Sequence, residues 1–166
     1  MISEHNKAEN SNERTAAYMP QAKTAEWGTP QKLFDSLNEE FGFTIDVAAS
    51  DTNHKCERYY TEADDGLSKS WRGETVYCNP PYGRPIKDWV RKASSSGAEK
   101  VVMLLPARTD TAWFHDYVYG KAGIRFIRGR LHYNDDKDAA PFPSMIVIFD
   151  GNNRGEYIEN EERTDR

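Results

Sequence analysis

Cysteine is nearly absent from this 166-residue chain, which carries two. Cys56 and Cys78 lie 22 residues apart, with no Cys-x-x-Cys pair and no histidine at ligand spacing, so neither a zinc site nor a disulfide scaffold is expected and no metal is assigned. His54-Lys55-Cys56 reads as a surface turn leading into a buried thiol. Long apolar runs are missing as well. None approaches the roughly 20 residues of a membrane span, and Met1-Ile2-Ser3-Glu4-His5-Asn6-Lys7 has no apolar core of a secretion signal, so a cytoplasmic protein with no membrane partner is expected. An excess of positive charge is lacking too: the net charge is -5, which weighs against a nucleic-acid partner until its distribution is considered. Residues 72–133 hold eleven Lys and Arg against five Asp and Glu, between acidic flanks, and a basic middle of that kind suits either a nucleic-acid groove or an ordinary solvated surface.

What is present is one domain's worth of core, with 37% apolar and 12% aromatic residues. The chain is organised around Thr75-Val76-Tyr77-Cys78-Asn79-Pro80-Pro81-Tyr82-Gly83, an apolar strand running into a stiff polar loop. Each proline fixes φ and lacks an N–H, and Pro81 biases Pro80 toward extended geometry. Pro80 then leaves its carbonyl free, Asn79 adds an amide oxygen, and Tyr82 presents an aromatic face. That set suits a planar ring bearing an exocyclic amine, with Tyr82 stacking on the ring. Two acceptors drawing on the amine hydrogens would localise its delocalised lone pair for attack on an electrophilic methyl group. Asn-Pro-Pro-Tyr at a strand end resembles the catalytic motif of amino-methyltransferases that use S-adenosyl-methionine; read without that likeness it is a proline turn leaving a strand.

Along the chain, residues 1–22 are polar and aperiodic and are expected to be a disordered tail. The domain is expected over 23–150 and an acidic tail over 151–166. Thr29 can cap a helix whose first position is Pro30, with Leu33, Phe34, Leu37 and Phe41 forming its apolar stripe and Gly42 ending it. Phe43 to Ser50 reads as a buried strand and a bend of small residues, with Asp46 at the strand end. Residues 51–71 are turn-rich, with a short strand expected at Arg58-Tyr59-Tyr60-Thr61. Only 32 residues separate Asp46 from Asn79, too few for a pair of strand–helix–strand crossovers at about thirty residues each, so a trimmed sheet is expected. Ile86, Trp89, Val90 and Ala93 mark an amphipathic helix with Lys87, Arg91 and Lys92 outside, ended by Ser94-Ser95-Ser96-Gly97. Lys100 to Leu105 is a continuous apolar run, as for a central parallel strand. Arg108 and Asp110 leave its carboxyl end, where open α/β sheets bind ligands, although Asp110 or Thr111 also suits the cap of a helix through Trp113, Phe114 and Tyr117. Further strands are expected at Ile124 to Ile127, followed by Arg128 and Arg130, and at Met145 to Phe149. Phe142, between Pro141 and Pro143, suits either the second face of a base pocket or a plug in the core.

Trp27-Gly28-Thr29-Pro30, Phe43 to Ala49, Asp65-Gly66-Leu67, Asn79-Pro80-Pro81-Tyr82, Leu104 to Thr111 and Ala140 to Ser144, in this order, resemble the small phage-type Dam-like DNA adenine-N6 methyltransferases over about residues 26–149. The resemblance implies an α/β, trimmed Rossmann-like methyltransferase fold with a mostly parallel central sheet flanked by helices. It implies S-adenosyl-methionine as cofactor, duplex DNA as partner, flipping of an adenine, and direct displacement onto its N6 amine, in the host cytoplasm if phage-encoded. By the same resemblance Asn79, Pro80, Pro81 and Tyr82 are catalytic. Thr29, Pro30, Asp46, Ala48 and Asp65 bind the cofactor, with Asp64 or a plain turn competing with Asp65, and Asp51 an alternative for the ribose. Tyr82, Arg108, Asp110, Arg128, Arg130 and Phe142 meet the substrate. The family's glycines after the acidic residue are here Ala48, Ala49 and Ser50, and the recognition sequence does not carry over. The motif equally fits an RNA base or a protein glutamine amide, and a non-catalytic DNA-binding relative is the other alternative.

Overall fold

The computed structural model describes residues 27–151, so the expected tail over 1–22 and all but the first residue of the one expected over 151–166 lie outside the described residues. Its frame is a five-stranded sheet of β1 (Ile45–Asp46), β2 (Thr75–Cys78), β3 (Lys100–Pro106), β4 (Gly123–Phe126) and β5 (Ser144–Asp150), in the order β1-β2-β3-β5-β4. The alternation of side chains along β3 builds the two cores. Val101, Met103 and Leu105 face one layer, where α2 (Ile86–Ser95) contributes Ile86, Trp89, Val90 and Ala93. Val102 and Leu104 face the other, where α1 (Gln31–Phe41) contributes Phe34 and Leu37 beside Tyr133 and Phe142. Because both faces are covered, β3 is buried from Val101 to Pro106.

The sheet is mixed, which corrects the expectation of a mostly parallel one. β1–β2 and β2–β3 pair parallel, whereas β3–β5 and β5–β4 pair antiparallel. Parallel neighbours need a crossover element, usually a helix. Between β4 and β5 stands only a single turn at Tyr133–Asp135, so β5 returns antiparallel and slots between β3 and β4.

The trimming is as the spacing implied. From β1 to β2 the chain holds no full strand; Tyr59 makes one isolated parallel bridge to Asp46, and a single turn spans Gly66–Ser68. Gly66 is required there, since a Cβ would stand 2.2 Å from the Val47 carbonyl. Two further differences concern helix ends. Pro30 itself is the N-cap of α1, and Thr29 does not cap it. The expected helix after β3 is a π-type turn, Phe114–Val118, to which Thr111 lends its hydroxyl as acceptor for the Phe114 N–H at 3.3 Å. Gly42, at φ 65°, ends α1 by donating its N–H to the Asn38 carbonyl at 2.8 Å.

β1, β2, β3 and β4 all run the same way, because β4 and β3 each oppose β5. Their carboxyl ends therefore define one edge of the sheet, joined there by the start of β5.

Candidate active site

Asn79 is the first residue past β2 on that edge. Its amide is held from behind: Nδ2 donates to the Trp27 carbonyl at 2.5 Å and to Thr29 Oγ1 at 3.3 Å. That fixes which end of the amide is left without a partner. Oδ1 is buried and accepts no hydrogen bond among the described residues, an unmet acceptor of a kind native folds seldom tolerate without a function. Pro80 is buried, Pro81 is exposed, and no backbone hydrogen bond among the described residues uses the Pro80 carbonyl. Two acceptors thus flank the same loop, both without a donor among the described residues.

Tyr82, half-buried, donates its hydroxyl to the Leu104 carbonyl at 3.1 Å and stands 3.1 Å from the Tyr133 hydroxyl, which in turn lies 2.8 Å from Ser144 Oγ. Burial, with the Tyr133 hydroxyl beside it, holds the Tyr82 phenol well above the ordinary tyrosine value, so it stays a donor. Trp27, Tyr133 and Phe142 complete an aromatic cluster around it. Phe142 meets Tyr82 edge-on at 5.7 Å and Trp27 edge-on at 5.1 Å. A sandwiched base needs parallel flanking planes about 7 Å apart, twice the 3.4 Å spacing of stacked bases. Tyr82 and Phe142 are not parallel in this arrangement, and Phe142, 8% exposed, packs into the aromatic cluster, which suits the core reading of this residue.

At the end of β1, Asp46 is 3% exposed. Its carboxylate accepts the Ala48 N–H at 3.3 Å and the Lys55 N–H at 3.0 Å, yet burial outweighs those bonds and raises its pKa. Beside it opens a cleft of about 490 Å³ lined by Ala49, Ser50, Asp51, Thr61, Glu62 and Ala63. The three acidic candidates separate here. Asp51 lines the cleft while accepting the Tyr59 hydroxyl at 2.9 Å. Asp64 closes a turn by accepting the Thr61 N–H at 2.8 Å. Asp65 is exposed, holds a left-handed backbone at φ 55°, and is not part of the lining.

Thr29 is buried and its hydroxyl is shared between Tyr77 OH and Asn79 Nδ2, so its side chain supports the Asn-Pro-Pro-Tyr loop. The α1 N-terminus next to it is already met by a carboxylate of the protein, since the Gln31 N–H donates to Asp135 Oδ2 at 3.3 Å.

Arg108 and Asp110 are exposed on the loop after β3, and Arg128 and Arg130 are exposed after β4. All four emerge on the edge that carries Asn79. Sequence reasoning missed Trp27 and Tyr133 as partners of the Asn-Pro-Pro-Tyr loop, and Glu62 in the cleft. Their partners lie 52 and 51 residues away for Trp27 and Tyr133, so no local pattern announces them.

Residues 16–164 match the family of DNA N-6-adenine-methyltransferases (Dam). A DNA N-6-adenine-methyltransferase of Escherichia phage T1 is 31% identical over 84% of this chain and 63% of its own length. One of Haemophilus phage HP1 is 27% identical over 84% of this chain and 90% of its own. The chain thus spans under two thirds of the phage T1 protein and most of the HP1 one. With an Asn-Pro-Pro-Tyr loop at a strand end and a match along most of its length, the chain belongs to the DNA N-6-adenine-methyltransferase (Dam) family.

Proposed function

We propose that this chain by itself transfers a methyl group from S-adenosyl-methionine to the N6 amine of adenine in duplex DNA, acting in the cytoplasm, that of the host if the chain is phage-encoded. The observation that carries the reading is the buried, unpartnered Oδ1 of Asn79. An adenine amine offers two hydrogens, and Asn79 Oδ1 and the Pro80 carbonyl are two acceptors that lack donors. With both hydrogens engaged, the nitrogen lone pair is drawn out of conjugation with the ring and becomes nucleophilic. Tyr82, pinned through its hydroxyl, offers the exposed part of its ring to the base.

The chain's residues fit the methyl donor. When bound, S-adenosyl-methionine supplies a methyl group on a sulfonium centre and departs as a neutral thioether. Asp46 is assigned to its amino group, Ala48 to close backbone approach, and Asp51, with Glu62, to the ribose hydroxyls in the cleft. Asp51 replaces Asp65 in that role because it lines the cleft. Thr29 and Pro30 adjoin this end, but with Asp135 on the Gln31 N–H the ammonium–Asp46 contact is the stronger anchor.

In a duplex the N6 amine is tied up in its base pair, so the base must leave the stack at a cost of a few kcal/mol. Contact with an aromatic face, worth about 1–3 kcal/mol per base, offsets part of that. Arg108, Arg128 and Arg130 on the same edge would take phosphates, with Asp110 beside them.

Replacing Asn79 by Ala removes one of the two acceptors. The kcat should fall on the order of 100- to 1,000-fold, as for loss of one preorganised hydrogen-bonding group, while calorimetric affinity for S-adenosyl-methionine stays near wild type. A variant with near-normal turnover would overturn the assignment of Asn79.

A further inference from the structure

The short turn Tyr133–Asp135 touches Ser144 and Phe142 close by in the chain, but it also reaches Tyr82, Gln31 and Gly28 across 51 to 106 residues, from a loop that composition marks only as acidic. Two of its residues hold left-handed backbone without being glycine, Asn134 at φ 58° and Asp135 at φ 54°. Such conformations cost about 1–3 kcal/mol each and persist where the surroundings enforce them. The surroundings here are the segment that holds Asn79. The Asn134 N–H donates to the Gly28 carbonyl at 2.7 Å, and the Gly28 N–H donates to Asn134 Oδ1 at 3.0 Å. One asparagine thereby closes a two-bond clasp on Gly28. The fit is tight enough to require glycine, because a Cβ there would stand 2.2 Å from Asn134 Oδ1 and 3.0 Å from Asn53 Nδ2. The residue before Gly28 is Trp27, whose carbonyl receives the Asn79 Nδ2 hydrogen.

We infer that Asn134 is a positioning residue for methyl transfer: through Gly28 it fixes the Trp27 carbonyl, and that carbonyl sets the orientation of the Asn79 amide. The inference rests on the assignment of Asn79 as acceptor for the target amine. An amide has two nearly isosteric ends, and only one orientation is useful. With Nδ2 tied to Trp27, Oδ1 is the end left free to accept. Were the amide turned over, Nδ2 would meet the substrate amine donor to donor, and the lone pair would gain nothing. Tyr133 in the same turn holds the Tyr82 hydroxyl, so one strained turn supports both working residues of the loop.

Two variants separate this role from general support. Asn134→Gly keeps the left-handed backbone at no strain and removes the whole side-chain amide, the acceptor for the Gly28 N–H with it. Asn134→Asp keeps an acceptor oxygen and a residue type that tolerates the conformation. The readout that needs no turnover is the side-chain amide of Asn79 in ¹⁵N-labelled protein, assigned by its absence from Asn79→Ala. Wild type and Asn134→Asp should show an exchange-protected amide, and Asn134→Gly should lose the protection. In methyl transfer, Asn134→Gly should lower kcat on the order of 10- to 100-fold with KM for DNA within about twofold, and Asn134→Asp should recover most of it. Should Asn134→Gly fail to fold, Gly28→Ala opens the clasp from the other side and should give the same loss of protection. An Asn79 amide that stays protected in the variant that folds, or a kcat indifferent to it, overturns the inference. Wild-type protein that shows the protected amide but methylates no DNA would strike the proposed function and leave the clasp standing.

Discussion

Asp46 and Tyr133 are where single side chains carry measurable consequences. Burial raises the Asp46 pKa against the pull of two backbone N–H groups. A carboxyl shifted in that direction contributes stability at pH below its unfolded value and loses it as pH rises through the raised folded value, so at neutral pH the ionised Asp46 is a cost to folding. A bound ammonium group would offset that cost. Affinity for S-adenosyl-methionine should therefore fall as pH drops through the raised Asp46 pKa, and Asp46→Asn should bind weakly with a flat profile in that range; calorimetry across pH checks both. Tyr133→Phe leaves Ser144 Oγ without its partner and loosens Tyr82. A stability loss of about 1–2 kcal/mol is expected, read as a Tm lower by roughly 3–6 °C. At this scale the sequence was informative wherever chemistry is local. Asn79, Pro80 and Tyr82 are adjacent in the chain, and Asp46 ends a strand. Trp27, Tyr133 and Asn134 were not legible, because each acts on a partner at least 51 residues away through backbone or hydroxyl groups that leave no pattern.

Among the elements, the Gly66–Ser68 turn sets Gly66 against the Val47 carbonyl, just past the end of β1. A methyl group at Gly66 would meet backbone, the Val47 carbonyl at 2.2 Å, so the turn itself must shift. Gly66→Ala should destabilise by about 1–3 kcal/mol, as overpacking commonly does, and weaken cofactor binding more than DNA binding. A thermal melt and two titrations decide it, and unchanged cofactor affinity would separate this turn from the cleft. Strand and helix positions were readable from period and apolar runs. Direction was not: the apolar run Met145 to Phe149 marks a strand equally well whichever way it runs. Only the lack of a crossover helix after β4 pointed to the antiparallel return, and an acidic loop gives no measure of that. The π-type turn was likewise invisible, since Phe114 and Tyr117 fit an ordinary helix.

For the molecule as a whole, charge and edge geometry set how DNA is met. Residues 27–151 hold 16 Lys and Arg against 18 Asp and Glu, so three of the five net negative charges lie in the flanking residues. Arg128 and Arg130 stand exposed on the ligand edge, whereas Arg125, just before them, is committed to Glu40 at 2.5 Å. Duplex binding should weaken steeply with salt, and Arg128→Ala should lower the slope of log K against log salt by about 0.9, one phosphate's worth. A slope unchanged by that substitution would remove Arg128 from the interface. The central claim is the reaction itself, and its most direct test is methyl transfer from labelled S-adenosyl-methionine to unmethylated duplex DNA, followed by nucleoside analysis. N6-methyladenine formed by wild type and not by Asn79→Ala is the predicted result; no methylated adenine from wild-type protein that binds both S-adenosyl-methionine and DNA would contradict it.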